Sequence, residues 1–292
     1  MSKAIVGIIG GSGVYDLPGL TGLREERVTT PWGEPSDALR FGRIGATEAV
    51  FLPRHGRGHV YSPSDINYRA NIYAMKAAGV TDLISVSACG SFREDLPPGR
   101  FLLADQFVDR TTGRASSFFG KGCVAHVSMA HPVSPALADI IAQAAEAENI
   151  PLARGGTYVC MEGPQFSSQA ESLTYRQLGY SVVGMTAMPE AKLAREAEIS
   201  YAIVAMVTDF DCWHPDHDHV DVASVIKILH ENAENATRLV ARVLRDFPAE
   251  HPPCPAGSDR ALDVAMITAP ASRDPALMQK LGPIVARVVA GG

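Results

Sequence analysis

An α/β fold is what this sequence predicts, and three observations carry the prediction. Apolar, strand-like runs alternate with helical patterns along most of the chain. The first run, in "AIVGIIGGSGVYD" (4–16), leads into Gly10, Gly11, Ser12 and Gly13, as a strand feeding a glycine-rich turn does. With 292 residues, 46% of them hydrophobic, the chain is long enough to bury a full core.

Strands are expected at 4–9, 49–52, 82–87, 101–108, 156–161, 181–184 and 200–207, and helices at about 65–79, 134–149, 169–178, 189–198 and 222–246. The strand at 49–52 precedes the basic stretch "RHGRGH", and the one at 82–87 runs into small residues. Ser134 followed by Pro135 offers an N-cap and a proline at the first helical position. Ser168 and Glu171 have capping-box spacing, and Pro189 with Glu190 signals the next helix start. The strand at 200–207 is almost continuously apolar and stops at Thr208. Pro248, Pro252, Pro253 and Pro255 mark a joint at 246–260. The chain therefore divides into a main domain, 1–245, and a joint with a C-terminal tail, 246–292, docked on the body or reaching a neighbouring subunit.

Composition narrows the function. A formal net charge of −6 and no stripe of basic residues argue against a nucleic-acid partner. The run Ala4 to Ile9 is too short for a signal sequence and nothing later approaches a membrane span, so a cytoplasmic protein with no membrane partner is expected. Five scattered cysteines without a C-x-x-C pair read as reduced thiols, not a zinc site.

The glycine-rich turn invites a dinucleotide reading, which the rest of the motif refuses. Gly11-x-Gly13 is followed by Asp16 where a third glycine is needed, and "YDLPGLTGL" cannot form the long helix that should follow. What survives is a turn rich in backbone N–H groups with the Ser12 hydroxyl at its centre, suited to a single phosphate. Three other strand ends share that character. "FLPRHGRGH" sets Arg54, His55, Arg57 and His59 after a strand, and arginine offers a two-pronged fork to phosphate. "ISVSACGSF" presents Ser87, Ala88 and Cys89, the thiol reading as a packing residue. "GMTAMPE" puts Met185 and Thr186 just before a helix.

Asp209 and Asp211, two residues apart beside Phe210 and Trp213, would face one ligand if the chain stays extended. Burial and mutual repulsion would raise at least one of their pKa values, which suits a carboxyl that donates a proton. The following "HPDHDH" (214–219) reads as a polar loop gating the carboxylates, so no metal site is assigned.

In this order, "GIIGGSGVYD", "RHGRGH", "NYRANIYAMK", "ACGS", "EGPQFSS", "GMTAMPE" and "TDFDCW" closely resemble the trimeric purine nucleoside phosphorylase superfamily, in detail its 5′-methylthioadenosine phosphorylase branch, over residues 4–245. The resemblance implies a mixed, distorted central β-sheet flanked by helices, and a homotrimer with sites at subunit interfaces. It implies that Ser12, Arg54, His55, Ser87, Ala88 through its backbone, and Thr186 hold inorganic phosphate, a co-substrate in a reaction without other cofactors. Met185 would lie against the ribose and Phe166 would stack on the purine. Val220, Val222, Val225 and Ile226 would meet the 5′ substituent, with His59 nearby and His126 supplied by the neighbouring subunit.

Base choice rests on the aspartates. The 6-oxopurine enzymes of the superfamily carry asparagine at the base-reading position, whereas a carboxylate accepts a bond from a 6-amino group and repels a carbonyl. The expected reaction is phosphorolysis of 5′-methylthioadenosine, with Asp209 as the acid and Asp211 on the 6-amino edge. A 6-oxopurine or methylthioinosine phosphorylase and a non-catalytic nucleoside-binding protein are the alternatives.

Overall fold

The computed structural model describes residues 3–11, 17–215 and 222–290, the side chains of 222–227 and 229 excepted. Chain order is β1 (Ile5–Gly10), β2 (Thr21–Glu26), β3 (Leu39–Ile44), β4 (Thr47–Pro53), α1 (Tyr68–Ala77), β5 (Asp82–Ser91), β6 (Phe101–Ala104), β7 (Gln106–Asp109), α2 (Pro135–Ala147), β8 (Leu152–Arg154), β9 (Thr157–Cys160), α3 (Gln169–Gln177), β10 (Val182–Gly184), α4 (Ala187–Glu196), β11 (Ser200–Asp209), α5 (Val222–Asp246) and α6 (Pro275–Ala290).

The strands form one mixed sheet that branches at β5. β1 pairs with β5 in parallel as far as Gly10 and Val86, and β10 joins β5 antiparallel at Gly90 and Ser91. Among the described residues, no strand pairs with Ser87–Cys89 on that edge between those two points. On the other edge β11 runs parallel to β5, and β6 pairs with β11. Sheets of this kind place sites where neighbouring strands diverge, and here the divergence falls on the small residues of "SAC".

Local chemistry explains the elements. Ser134 caps α2 with Pro135 in its first turn, and Ser168 and Glu171 form the capping box of α3. α1, α4 and α6 pack into one apolar cluster with Ile72, Met75, Ala191, Leu193, Leu281 and Ile284 buried, while α2 and α5 close the other face around Leu137, Ile141, Leu239 and Val240. Tyr158 of β9 is fully buried and lays its hydroxyl against Gly184 of β10, 1.8 Å from where a Cβ would stand.

Two expectations change. The run expected as one strand at 101–108 breaks at Asp105, whose carboxylate accepts from Gly156 N (3.0 Å), so β6 serves one branch of the sheet and β7 the other. The β2–β3 edge hairpin was not expected, because all six residues of "TGLREE" are exposed and show no alternation. The joint is tied to the body by His251, whose Nδ1 meets Asp82 Oδ2 at 2.7 Å, and by Arg195, which donates to Ala256 O. α6 buries Leu281, Ile284 and Val285, and Arg287 pairs with Glu198 at 2.6 Å. Residues 246–290 thus pack on the body of their own chain.

Candidate active site

The divergence at Ser87 gathers most of the residues expected around phosphate. Ser87 Oγ and Thr186 Oγ1 stand 3.2 Å apart, one from β5 and the other from the turn entering α4. Arg54, at the end of β4, reaches beneath them and donates from Nη1 to Val86 O (3.1 Å) and from Nη2 to Ser85 Oγ (2.7 Å) and Ile9 O (3.2 Å). Ala88 follows Ser87 on the same strand.

Arg54 corrects one expectation. Its two-pronged edge meets Glu190, with Nε–Oε2 at 2.8 Å and Nη2–Oε1 at 3.2 Å, and both side chains are only 1% exposed. Tyr201 adds a hydrogen bond to Glu190 Oε1 (3.0 Å). The fork is therefore spent inside the protein, where a buried guanidinium needs a counter-charge. With Nη1 donating to Val86, one Nη1–H is left for an anion.

His55 is held by Tyr61 O, to which Nδ1–H donates (2.9 Å), and its ring stacks on His59 at 4.1 Å. Burial, reinforced by the Arg54 charge, pushes its pKa down to about 4, so at neutral pH the ring is uncharged and presents Nε2 as an acceptor. Arg57 turns outward to Glu25 (2.7 Å), and His59 is exposed.

The carboxylates lie three residues further along β5. β11 bulges between Val207 and Asp209, bringing Asp209 opposite Gly90, and such a bulge re-aims the next side chain. The extended spacing expected for Asp209 and Asp211 does not occur: Asp211 has φ of +50° and sits in a turn. That turn is closed by Asp209 itself, whose Oδ1 accepts from Asp211 N (2.8 Å) while Oδ2 accepts from Thr208 Oγ1 (2.7 Å). Burial dominates at Asp209, lifting its pKa to about 6 with a contribution from Asp211. Burial also raises Asp211, whose Oδ2 has no hydrogen-bond partner although the Ser172 and Ser167 hydroxyls favour its charged form. Cys89 is buried with its thiol pKa pushed well up, as a packing residue should be.

The expected nucleoside contacts are only partly assembled. Met185 is half-buried between Thr186 and the 162–168 loop, and Phe166 on that loop is 45% exposed. The loop meets the carboxylates where Cys212 Sγ donates to Ser167 O (3.4 Å). His126 is exposed, on a segment paired with the tail through its N–H to Ala265 O (2.9 Å). Ser12, Val220 and the 216–219 part of the His/Asp loop lie outside the described residues, as do the side chains of Val222, Val225 and Ile226.

Residues 5–245 match the family model described as "Phosphorylase superfamily". The chain belongs to that superfamily. Among curated members, the S-methyl-5′-thioadenosine phosphorylase of Bradyrhizobium diazoefficiens is 68% identical over 291 residues, 100% of both chains, and that of Cereibacter sphaeroides is 57% identical over 99% of this chain and 100% of its own. A crystal structure of a methylthioadenosine phosphorylase from an antarctic soil metagenomic library superposes with a TM-score of 0.91 at 44% identity, covering 97% of this chain and 99% of that one. Methylthioadenosine phosphorylase from Schistosoma mansoni in complex with adenine has a TM-score of 0.78 at 39% identity, covering 83% of this chain and 91% of that one.

Within this phosphorylase-superfamily fold, three site-building residues escaped the sequence reading. Glu190 was visible only as a helix-start signal, and Arg114 and Glu162 carried no reading of their own. Arg114, its side chain 2% exposed, donates to Glu162 Oε1 (3.2 Å) and to the carbonyls of Glu162 (2.7 Å), Met185 (2.6 Å) and Met188 (2.7 Å). The Glu162 carboxylate also accepts from Ser64 and from the backbone N–H of Thr112 and Gly113, and these bonds outweigh its modest burial to hold its pKa at about 2. Nothing in the residue spacing pairs 114 with 162.

Proposed function

We propose that the chain cleaves the N-glycosidic bond of 5′-methylthioadenosine with inorganic phosphate, giving adenine and 5-methylthioribose 1-phosphate. The observation that carries this reading is the juxtaposition on β5 of a hydroxyl-lined anion site, Ser87 with Thr186 over Arg54, and a buried aspartate whose pKa is raised to about 6. Full-length likeness to S-methyl-5′-thioadenosine phosphorylases supports the same substrate.

In the proposed mechanism the C1′–N9 bond breaks as the sugar carbon gains oxocarbenium character. Asp209, protonated in the complex, gives its proton to N7 so that adenine leaves neutral, and a phosphate oxygen forms the new bond to C1′. Asp211 accepts from the 6-amino group. The anion, held by Ser87, Thr186, the Ala88 backbone, the remaining Arg54 N–H and the turn at Ser12, also stabilises the positive sugar carbon. A neutral His55 Nε2 accepts a hydrogen bond from a phosphate hydroxyl. Phosphate supplies the nucleophile and Asp209 the acid, so the proposed chemistry asks for no metal or organic cofactor.

Assembly as a homotrimer belongs to the same proposal, with His126 completing a neighbour's pocket. Exposed Val124, Val264 and Ile267 around that segment support it. Among the described residues no helix is long and apolar enough to cross a membrane, and a cytoplasmic setting is part of the proposal.

The test is base release from 5′-methylthioadenosine and from inosine, each with and without phosphate. Adenine released only with phosphate is the expected result. Release without phosphate would make the enzyme a hydrolase, and a preference for inosine would overturn the roles given to Asp209 and Asp211.

A further inference from the structure

We infer that Arg114 is a positioning residue for the nucleoside side of the site, holding the Met185 backbone and the loop that carries Phe166 in a single clamp. The inference rests on the function proposed above and adds a part to it.

Arg114 comes from a loop, and its side chain reaches inward to bond three separate pieces of chain. Nη1 donates to Met185 O (2.6 Å), Met188 O (2.7 Å) and Tyr68 Oη (3.1 Å). Nη2 donates to Glu162 O (2.7 Å) and Nε to Glu162 Oε1 (3.2 Å). Glu162 closes the circuit by accepting from Thr112 N (2.5 Å), two residues before Arg114, and from Ser64 Oγ. Immediately after Glu162, Gly163 has φ of +65°, and a Cβ there would lie 2.4 Å from Met185 Sδ. The Met185 side chain is thus seated against the backbone of the loop whose carbonyl Arg114 grips.

Only a planar guanidinium satisfies these acceptors together, because its donors leave in fixed, divergent directions, whereas lysine offers one compact head. The phosphate side has its own anchor in Glu190 and Arg54, and among the described residues that pair shares no hydrogen bond with this circuit. Thr186 lies between the two carbonyls that Arg114 holds, so loosening Arg114 should displace Met185 and Phe166 most and Thr186 less, while Ser87 and Arg54 keep their places. Misplacement of about 1 Å at a positioning contact costs up to about 100-fold in rate.

The experiment is initial-rate kinetics of full-length wild type, Arg114→Lys and Glu162→Gln, varying each substrate in turn, with nucleoside binding read separately from intrinsic tryptophan fluorescence without phosphate. KM for 5′-methylthioadenosine is expected to rise about tenfold or more in Arg114→Lys and less in Glu162→Gln, with a distinctly smaller rise in KM for phosphate in each variant. Nucleoside affinity by fluorescence should fall in parallel. Unchanged nucleoside KM and affinity, or an equal rise in both KM values, would overturn the inference. If Arg114→Lys does not fold, Glu162→Gln decides on the same criterion. A wild type that binds the nucleoside but releases no adenine would sink the proposed function instead, and the fluorescence series would still decide the clamp.

Discussion

Each side of the site is organised by an arginine gripped by a glutamate, and the two pairs differ in surroundings. Arg54 and Glu190 are each 1% exposed and sit under strand ends, whereas Glu162, the partner of Arg114, keeps 28% of its side chain in contact with solvent and belongs to a loop. On the phosphate side the positive charge is cancelled in advance and His55 is neutral, so an incoming anion meets oriented hydroxyl and N–H dipoles in a dry setting. On the nucleoside side the parts come from three loops and half of Phe166 is still in water. In the proposed reading, a small co-substrate would be served by a buried cradle, and a larger, two-part substrate by a wall that is clamped but open.

The largest expected effect falls where the two sides meet. Asp209→Asn should lower kcat by about 10²–10⁴-fold, because the proton for N7 is lost. The sign of the pH dependence follows from a folded pKa raised to about 6: the acid form dominates below that value and is lost as pH climbs through it. With phosphate saturating, kcat/KM for the nucleoside should decline above about pH 6 in wild type and lose that limb in Asp209→Asn. A wild-type profile without the limb would remove Asp209 from the acid role.

Next comes the contrast between the clamps. Glu190→Ala strands the Arg54 charge in the interior and should destabilise the fold by about 3–5 kcal/mol in urea unfolding. Glu162→Ala removes a carboxylate that is 28% exposed and leaves Arg114 the carbonyls of Glu162, Met185 and Met188 as acceptors, so it should cost less in the same measurement. Equal losses would mean that the two clamps do not differ as their burial implies.

The smallest effects sharpen the division of labour. Thr186→Val should raise KM for phosphate about tenfold, the scale of one hydrogen bond to a charged group, and leave the nucleoside KM alone. Phe166→Ala should do the reverse by a similar factor, the scale of one base-stacking contact. Crossed effects in steady-state kinetics would show that the two sides are not separable.

The strand ends near Thr186 and Asp209 were legible in the sequence because an apolar run ending in small or polar residues is itself the structural signal, whereas β5 continues past the end expected at Ser87 to Ser91, its small residues held in the ladder by β11. α2 and α3 were legible through their caps. The geometry of the aspartates was not: whether "TDFD" continues as a strand depends on a bulge set by β5, and the left-handed turn at Asp211 is a tertiary outcome. The pairing of Arg54 with Glu190, 136 residues away, was not legible, because a long-range buried pair leaves no local pattern. β2 and β3 escaped because β2 is an exposed edge strand with no buried face to impose alternation.

The contact between Tyr158 and Gly184 sets an order on how this chain can change. A Cβ at 184 would collide with the phenol at Oη (1.8 Å) and still at Cζ (2.5 Å), so removing the hydroxyl alone does not open the position. Residue 158 has to shrink before residue 184 can grow. The opposite order passes through an ancestor whose collision sits one residue before Met185 and two before Thr186, where both sides of the site would be disturbed together. The two positions are therefore expected to drift as a linked pair, with the tyrosine always the first to go.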